Sequence, residues 1–374
     1  MGLDRFRQHK ASPDYTYLSL VLALVLLGLV MISSSSVVVA METYGRTYAY
    51  VIRQSQALVL GIIGLIVASQ IPYTKWKDWA KPLFVITVIL LIVVFIPGVG
   101  KVAKGAARWI DVGFLRLQPS EIAKLAYIFF LSAWLQKQGD KIKHFQTGLL
   151  PFLCLITPAV VILMLQRDLG TLMIILITSG LMFFVAGASY GQIGVGFLVA
   201  GVVLLLLIAV APYRMQRLTT YLNPGNDKLG TGYHINQSLI TIGSGGMWGR
   251  GFGNSLQKHL YLPEPQTDSI FAVTVEELGF VRSSLILLVI AALGYRGYQI
   301  AFRTTDLFGR MVAFGIASWF LFQAIVNISA IMGLIPLTGV PLPFISYGGT
   351  SLILSLSAVG VLLNISRNRY GAAG

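Results

Sequence analysis

Asp268 stands at the seam between a long polar stretch and an apolar run, within Tyr261-Leu262-Pro263-Glu264-Pro265-Gln266-Thr267-Asp268-Ser269-Ile270-Phe271. A carboxylate at such a boundary keeps water on one side and a low-dielectric wall on the other, a setting that can tune a general base toward neutral pH. The same stretch would equally serve as a helix cap, because Thr267, Asp268 and Ser269 can each accept from the first free N–H groups of the helix behind them. Local sequence leaves both readings standing. Glu276 and Glu277 follow two turns later. At about 100° per residue, Glu276 falls about 80° around the helix from Asp268 and Glu277 about 180° away, so only Glu276 could share its cavity.

Cations and further polar groups gather in three other stretches. The segment from Pro97 to Gln118 sets Lys101, Lys104, Arg108 and Arg116 against the single acid Asp111. In Ala107-Arg108-Trp109-Ile110 a guanidinium, suited to a bidentate grip on phosphate, alternates with an interfacial indole; attraction to lipid headgroups is the simpler account of Lys101 and Lys104. Gln118-Pro119-Ser120-Glu121 opens an apolar run with proline in the first turn and an acid near the positive end of the helix dipole. Lys124, three residues on, either pairs privately with Glu121 or faces a cavity with it. Gln166-Arg167-Asp168-Leu169-Gly170-Thr171 turns tightly between two apolar runs, with Asp168 in position to cap the second.

The glycine-rich Gly243-Ser244-Gly245-Gly246-Met247-Trp248-Gly249-Arg250-Gly251-Phe252-Gly253 lacks the lysine and strand-turn-helix setting of a nucleotide loop. It could let backbone N–H groups approach a phosphate, or it could pack a re-entrant loop. His9, His144, His234 and His259 are scattered, none at metal-ligand spacing. No tightly bound cofactor is expected.

The elements that must hold these groups are membrane helices. Of 374 residues 56% are hydrophobic and 11% charged, with a net charge of +14, and apolar runs far exceed what a soluble core helix needs. A span takes about 20 mostly apolar residues, which gives about ten candidates: 17–40, 52–71, 81–97, 119–136, 148–166, 169–188, 191–211, 269–294, 309–335 and 345–365. The expected fold is therefore an all-α polytopic membrane protein, residues 1–374 forming one domain, with a large extracytoplasmic loop at 212–268 between the seventh and eighth spans. Arg5, Arg7 and Lys10 precede the first run, no small-residue cleavage site follows it, and a retained anchor is expected. Once the cations of the long 212–268 segment are set aside, the positive-inside rule puts both termini, 1–16 and 366–374, in the cytoplasm. The basic balance suits anionic lipid or lipid-linked phosphate, and no nucleic-acid partner is expected. Cys154, alone, excludes an intramolecular disulfide.

Ala107-Arg108-Trp109-Ile110, Gln118-Pro119-Ser120-Glu121-Ile122-Ala123-Lys124, Gln166-Arg167-Asp168-Leu169-Gly170-Thr171, Gly249-Arg250-Gly251 with Lys258, Tyr261-Leu262-Pro263-Glu264, Thr267-Asp268 and Gly339-Val340-Pro341-Leu342-Pro343-Phe344-Ile345-Ser346-Tyr347-Gly348-Gly349 occur in the order of one family. By these motifs, over nearly its whole length, the chain resembles the SEDS family of bacterial cell-wall proteins, ten-span peptidoglycan glycosyltransferases with division (FtsW), elongation (RodA) and sporulation members. Pro97-Gly98-Val99-Gly100 looks more like the division members. Arg282 departs from the family pattern, which has a small residue there, and puts local helix packing in question.

The resemblance implies polymerisation of lipid II at the outer face of the bacterial cytoplasmic membrane, with loss of undecaprenyl diphosphate. Asp268 matches the family's essential aspartate. Arg108, Lys124 and Lys258 would face the diphosphate, with a divalent Mg or Mn ion as a further aid. Glu121 would orient Lys124; Trp109, Gln166, Asp168, Glu264, Ser346, Gly348 and Gly349 would shape the substrate cavity. The implied partners are a class B penicillin-binding protein transpeptidase and other division or elongation membrane proteins. That transpeptidase's helix is expected on the ninth span, against Gly315, Ala317, Ser318, Ala324, Ser329 and Ala330. The competing readings are an elongation polymerase and a lipid II flippase. A flippase would place its binding groups near the bilayer midplane and show related halves, whereas these groups gather at one face.

Overall fold

The computed structural model describes residues 12–103, 106–113, 115–210, 215, 219–221 and 230–367. Lys104, the turn cluster 223–227 and most of both expected cytoplasmic tails lie outside the described residues. The chain forms α1 (Tyr15–Ser35), α2 (Val37–Tyr44), α3 (Ala49–Gln70) and α4 (Tyr73–Val93), then a small sheet of β1 (Gly100–Ala103), β2 (Ala106–Val112) and β3 (Leu115–Leu117). There follow α5 (Pro119–Gln138), α6 (Leu150–Leu165), α7 (Leu169–Val185), α8 (Tyr190–Val210), α9 (Thr231–Ser244), α10 (Ile270–Arg303), α11 (Leu307–Ile331) and α12 (Gly349–Ser366).

Each apolar run expected to span a membrane overlaps a helix, and among the described residues 6 of these helices are long and apolar enough to cross one. Their starts follow local chemistry. Asp14, Asp168 and Asp306 each accept a backbone N–H in the first turn of α1, α7 and α11, and proline opens α5, where no donor is needed.

Hydrogen bonds sort the connections into two ends. At one, Asp14 pairs with Arg296 at 3.0 Å, Ser366 accepts from the Asp14 N–H, Asn364 bridges Ser69 and Tyr73, and Gln136 reaches Asp306. The first helix thus begins beside the end of the last, the arrangement an even number of crossings produces. At the other end lie the sheet, the turn between α6 and α7, the 245–269 segment and the stretch ahead of α12, tied by the bonds described below.

Three features differ from expectation. The basic 97–118 connection is a three-stranded antiparallel sheet, order β1-β2-β3, in which Asp111 bonds electrostatically to Lys101 (3.6 Å) and Arg116 (3.3 Å). The long 212–268 loop contains a helix, α9. And α11 packs on α5, α7 and α10: of the six small residues expected to meet a partner, Gly315, Ala317, Ser318, Ala324 and Ala330 are buried in the bundle and Ser329 is half-buried. Gly315 abuts Ile128 and Met182; small residues there let neighbouring helices close in.

Candidate functional site

The turn that carries Asp268 is built on one carbonyl. Glu264, at φ +50°, accepts from the N–H groups of Thr267 and Ser269 at 3.2 Å each, while its carboxylate receives the Thr267 hydroxyl at 3.0 Å. Ser269 occupies the cap position of α10 without making a side-chain cap bond; its hydroxyl turns back onto the Pro263 carbonyl at 2.8 Å. Asp268 itself is half-buried. Its Oδ2 lies 3.6 Å from the point where a Cβ on Gly339 would stand, which brings the 338–348 stretch against the carboxylate.

That stretch has no regular secondary structure, and its polar backbone must be satisfied inside the bundle. Buried side chains do this. Gln323 donates to the Pro341 carbonyl at 2.8 Å and Asn327 to that of Val340 at 2.7 Å. Gln54 donates to Ser346 O at 3.4 Å and accepts from the Gly348 N–H at 3.1 Å. Ser346 closes the strap on itself and on the Asp268 loop, accepting from Leu342 N–H at 2.8 Å and donating to Thr267 O at 2.7 Å. Tyr347 N–H reaches Gln266 O at 2.9 Å. Gly349 begins α12. So Ser346 and Gly348 lie directly beside the Asp268 turn. Gln54, Gln323 and Asn327 were not singled out from sequence; their signal was an amide inside an otherwise apolar run.

Arg108 and Trp109 sit half-buried on β2. The Arg108 guanidinium donates to the carbonyls of Gln166 (3.2 Å) and Arg167, clamping the α6–α7 turn. Arg167 there has φ +57°. Gln166 is buried and spends its side chain on Leu91 O at 2.7 Å. Asp168 caps α7 through Thr171 N–H and receives the Ser120 hydroxyl at 2.9 Å, joining the first turn of α5 to that of α7. One turn into α5, Lys124 pairs with Glu121 at 2.8 Å, both buried. Lys124 also donates to Gln323 Oε1 at 2.8 Å and lies 4.8 Å from the Trp319 ring centroid. The ion pair between Glu121 and Lys124 therefore forms, and Gln323 links it to the strap.

Lys258 stands elsewhere. Its buried ammonium donates to Ser34 Oγ (3.0 Å), Gly253 O (2.6 Å) and Glu277 Oε1 (3.0 Å), three partners for three N–H groups. Glu276 accepts from Ser255 and from Leu256 N–H and lies 3.6 Å from Arg250. Both glutamates thus turn to the 250–258 segment. The glycine run has its explanation in the same place. Gly279 breaks α10 at φ +83°, ψ 171°, and the loop fills the break. Arg250 and Gly251 N–H groups donate to Glu276 and Glu277 carbonyls, while Gly246 and Met247 carbonyls accept from Phe280 and Val281. A Cβ on Gly279 would meet the Gly249 and Trp248 backbone. The run packs a re-entrant loop. Arg282, on the exposed side, donates to Trp248 O at 3.4 Å.

Among the described residues no group of three His, Cys, Asp or Glu side chains is placed to hold a metal ion.

Residues 15–371 match the model of the cell cycle protein family FtsW/RodA/SpoVE. The chain is 45% identical to stage V sporulation protein E of Bacillus subtilis, over 96% of this chain and 99% of that protein. It is 41% identical to a probable peptidoglycan glycosyltransferase FtsW of a Geobacter species, over 96% and 98%. Among solved structures, a peptidoglycan synthase complex described as coordinating polymerization and crosslinking superposes with a TM-score of 0.80 at 28% identity, covering 96% of this chain and 99% of the matched one.

Proposed function

The chain belongs to the FtsW/RodA/SpoVE cell cycle protein family, and from that membership we propose that it is a peptidoglycan glycosyltransferase which polymerises lipid II at the outer face of the bacterial cytoplasmic membrane, with both termini inside. The observation that carries the reading is the Asp268 turn: a half-buried carboxylate, braced by a buried strap, at the polar end of a membrane bundle. Asp268 takes the proton of the acceptor sugar's 4-hydroxyl as that oxygen bonds to the donor's anomeric carbon. The bond to the diphosphate breaks, and undecaprenyl diphosphate leaves with its electron pair. A diphosphate is already a good leaving group, so no second carboxylate of the glycosidase kind is needed.

Arg108, at the half-buried outer edge, supplies positive charge where the diphosphate develops its own. Lys124 is deeper and neutralised by Glu121, and contributes a fixed, oriented ammonium beneath. Lys258, with its three N–H groups engaged, we assign to holding the loop. Trp109, Gln166, Asp168 and Glu264 frame the cavity around these groups, Ser346 to Gly349 its floor. The flippase reading is less well supported, because the ionisable groups gather at one end instead of midway. A division or sporulation role fits the identities of 45% and 41% to proteins of those names.

A class B penicillin-binding protein is the proposed partner, since a solved structure that the chain resembles is a peptidoglycan synthase complex that couples polymerization to crosslinking. Its helix would meet an outer helix other than α11. Purified protein given lipid II should yield glycan polymer. Asp268→Asn keeps size but not basicity; at equal membrane level it should yield none, and polymer from that variant refutes the assignment.

A further inference from the structure

Two amides lie one turn apart on a single face of α11, Gln323 and Asn327, at 1% and 2% exposure. Polar side chains are costly inside a membrane bundle unless their hydrogen bonds are all made, and Asn327 does not make all of its own. Its Oδ1 is buried and finds no partner among the described residues. Its two N–H groups are both spent, and on backbone far apart in sequence: Nδ2 donates to Asp268 O at 3.0 Å and to Val340 O at 2.7 Å. A primary amide offers two N–H donors from one atom without bringing a charge. The strap it holds passes beside the carboxylate at Gly339, where a Cβ would stand 3.6 Å from Asp268 Oδ2 and where φ is +70°, a backbone no L side chain adopts readily. Gln323 fixes the next strap residue, Pro341, and binds Lys124 with its other end.

We infer that Asn327 is a positioning residue for Asp268, its amide setting the spacing between the turn that carries the carboxylate and the strap that backs it. The inference rests on the glycosyltransferase reading, and it extends that reading from the reacting groups to what aims them. Asn327 touches no substrate. It acts through two carbonyls, and Gln323 ties the same strap to the Glu121–Lys124 pair, so base and buried cation share one frame.

The test uses the full chain, purified, with lipid II as the probe: wild type, Asn327→Leu, Asn327→Asp and Asp268→Asn. Neither Asn327 variant can give two N–H groups to the two carbonyls, and the near-isosteric Asn327→Asp carries the test if Asn327→Leu fails to fold. Misplacing a reacting group by about 1 Å costs about 100-fold in rate. Expected are a kcat reduced by about that factor, an unchanged KM, and faster amide hydrogen exchange confined to peptides covering 266–270 and 339–346. Full kcat in an Asn327 variant, a raised KM with kcat intact, or unaltered exchange in both peptides overturns the inference while leaving the glycosyltransferase reading in place. A wild type that makes no polymer overturns that reading and the inference together.

Discussion

Removing the Lys258 ammonium separates two roles that its sequence context allows, a grip on diphosphate and a buried clasp. In Lys258→Met, Glu277 stays fully buried with the Ser34 hydroxyl as its remaining donor, at 2.6 Å. Breaking a buried ion pair from one side costs about 3–5 kcal/mol. Since about 1.4 kcal/mol is tenfold, the docked state of the 250–258 segment should lose at least about 100-fold in population. Adding Glu277→Gln removes the stranded charge and keeps an acceptor for Ser34, so most of the loss should return; replacing both members of such a pair is often close to neutral. The assay is a cycle of wild type, both single variants and the double, read by melting in detergent and by lipid II polymerisation. A clasp gives a crippled Lys258→Met and a largely recovered double variant in both readouts. A double variant that melts like wild type but makes no polymer would put Lys258 back on the diphosphate, and a Lys258→Met with undiminished melting would refute the energetic reasoning.

Arg108→Lys should fail nearly as fully as Arg108→Ala, because an ammonium lacks the rigid planar fork with which the guanidinium spans the Gln166 and Arg167 carbonyls; full polymerisation by the lysine variant would refute the need for that fork. Gly279→Ala forces φ +83° on a residue with a side chain and drives a methyl into the Gly249 and Trp248 backbone. A conformation of that kind costs about 1–3 kcal/mol before any overlap is counted, so a lower melting temperature and faster protease nicking in 245–260 are expected, and wild-type values for both would refute it. Co-purification with a class B penicillin-binding protein should survive bulky substitution of Gly315 only where the bundle still folds, whereas cysteine cross-links to that partner should come from helices other than α11; cross-links from α11 alone would contradict its central place.

What sequence could deliver was whatever is decided within a few residues. The apolar runs overlap helices because a membrane span is a local property of composition, and Asp168 caps α7 because an aspartate ahead of an apolar run has its acceptor in the right place. Pairings between distant segments left weaker traces. The glycines of 243–253 are equally suited to a phosphate and to a neighbouring backbone, and only the break at Gly279, some thirty residues on, decides between them. The small residues of α11 read as a contact face, yet smallness does not say whether the neighbour belongs to the same chain. Gln54, Gln323 and Asn327 barely alter the hydropathy of their apolar runs because an amide carries no charge, although a donor inside an apolar helix needs an acceptor nearby. The sheet at 100–117 went unread because its strands are short and its cations dominate the pattern.

The splice at Gly279 also dictates an order of biogenesis. Residues 245–251 are synthesised before 276–281, so the backbone groups that end up exchanged between them must wait, solvated by water, until the eighth apolar run has been made and placed. The 245–251 segment therefore cannot satisfy its backbone within its own stretch of sequence. Closure of the 245–251 segment is thereby coupled to synthesis of the helix that follows it.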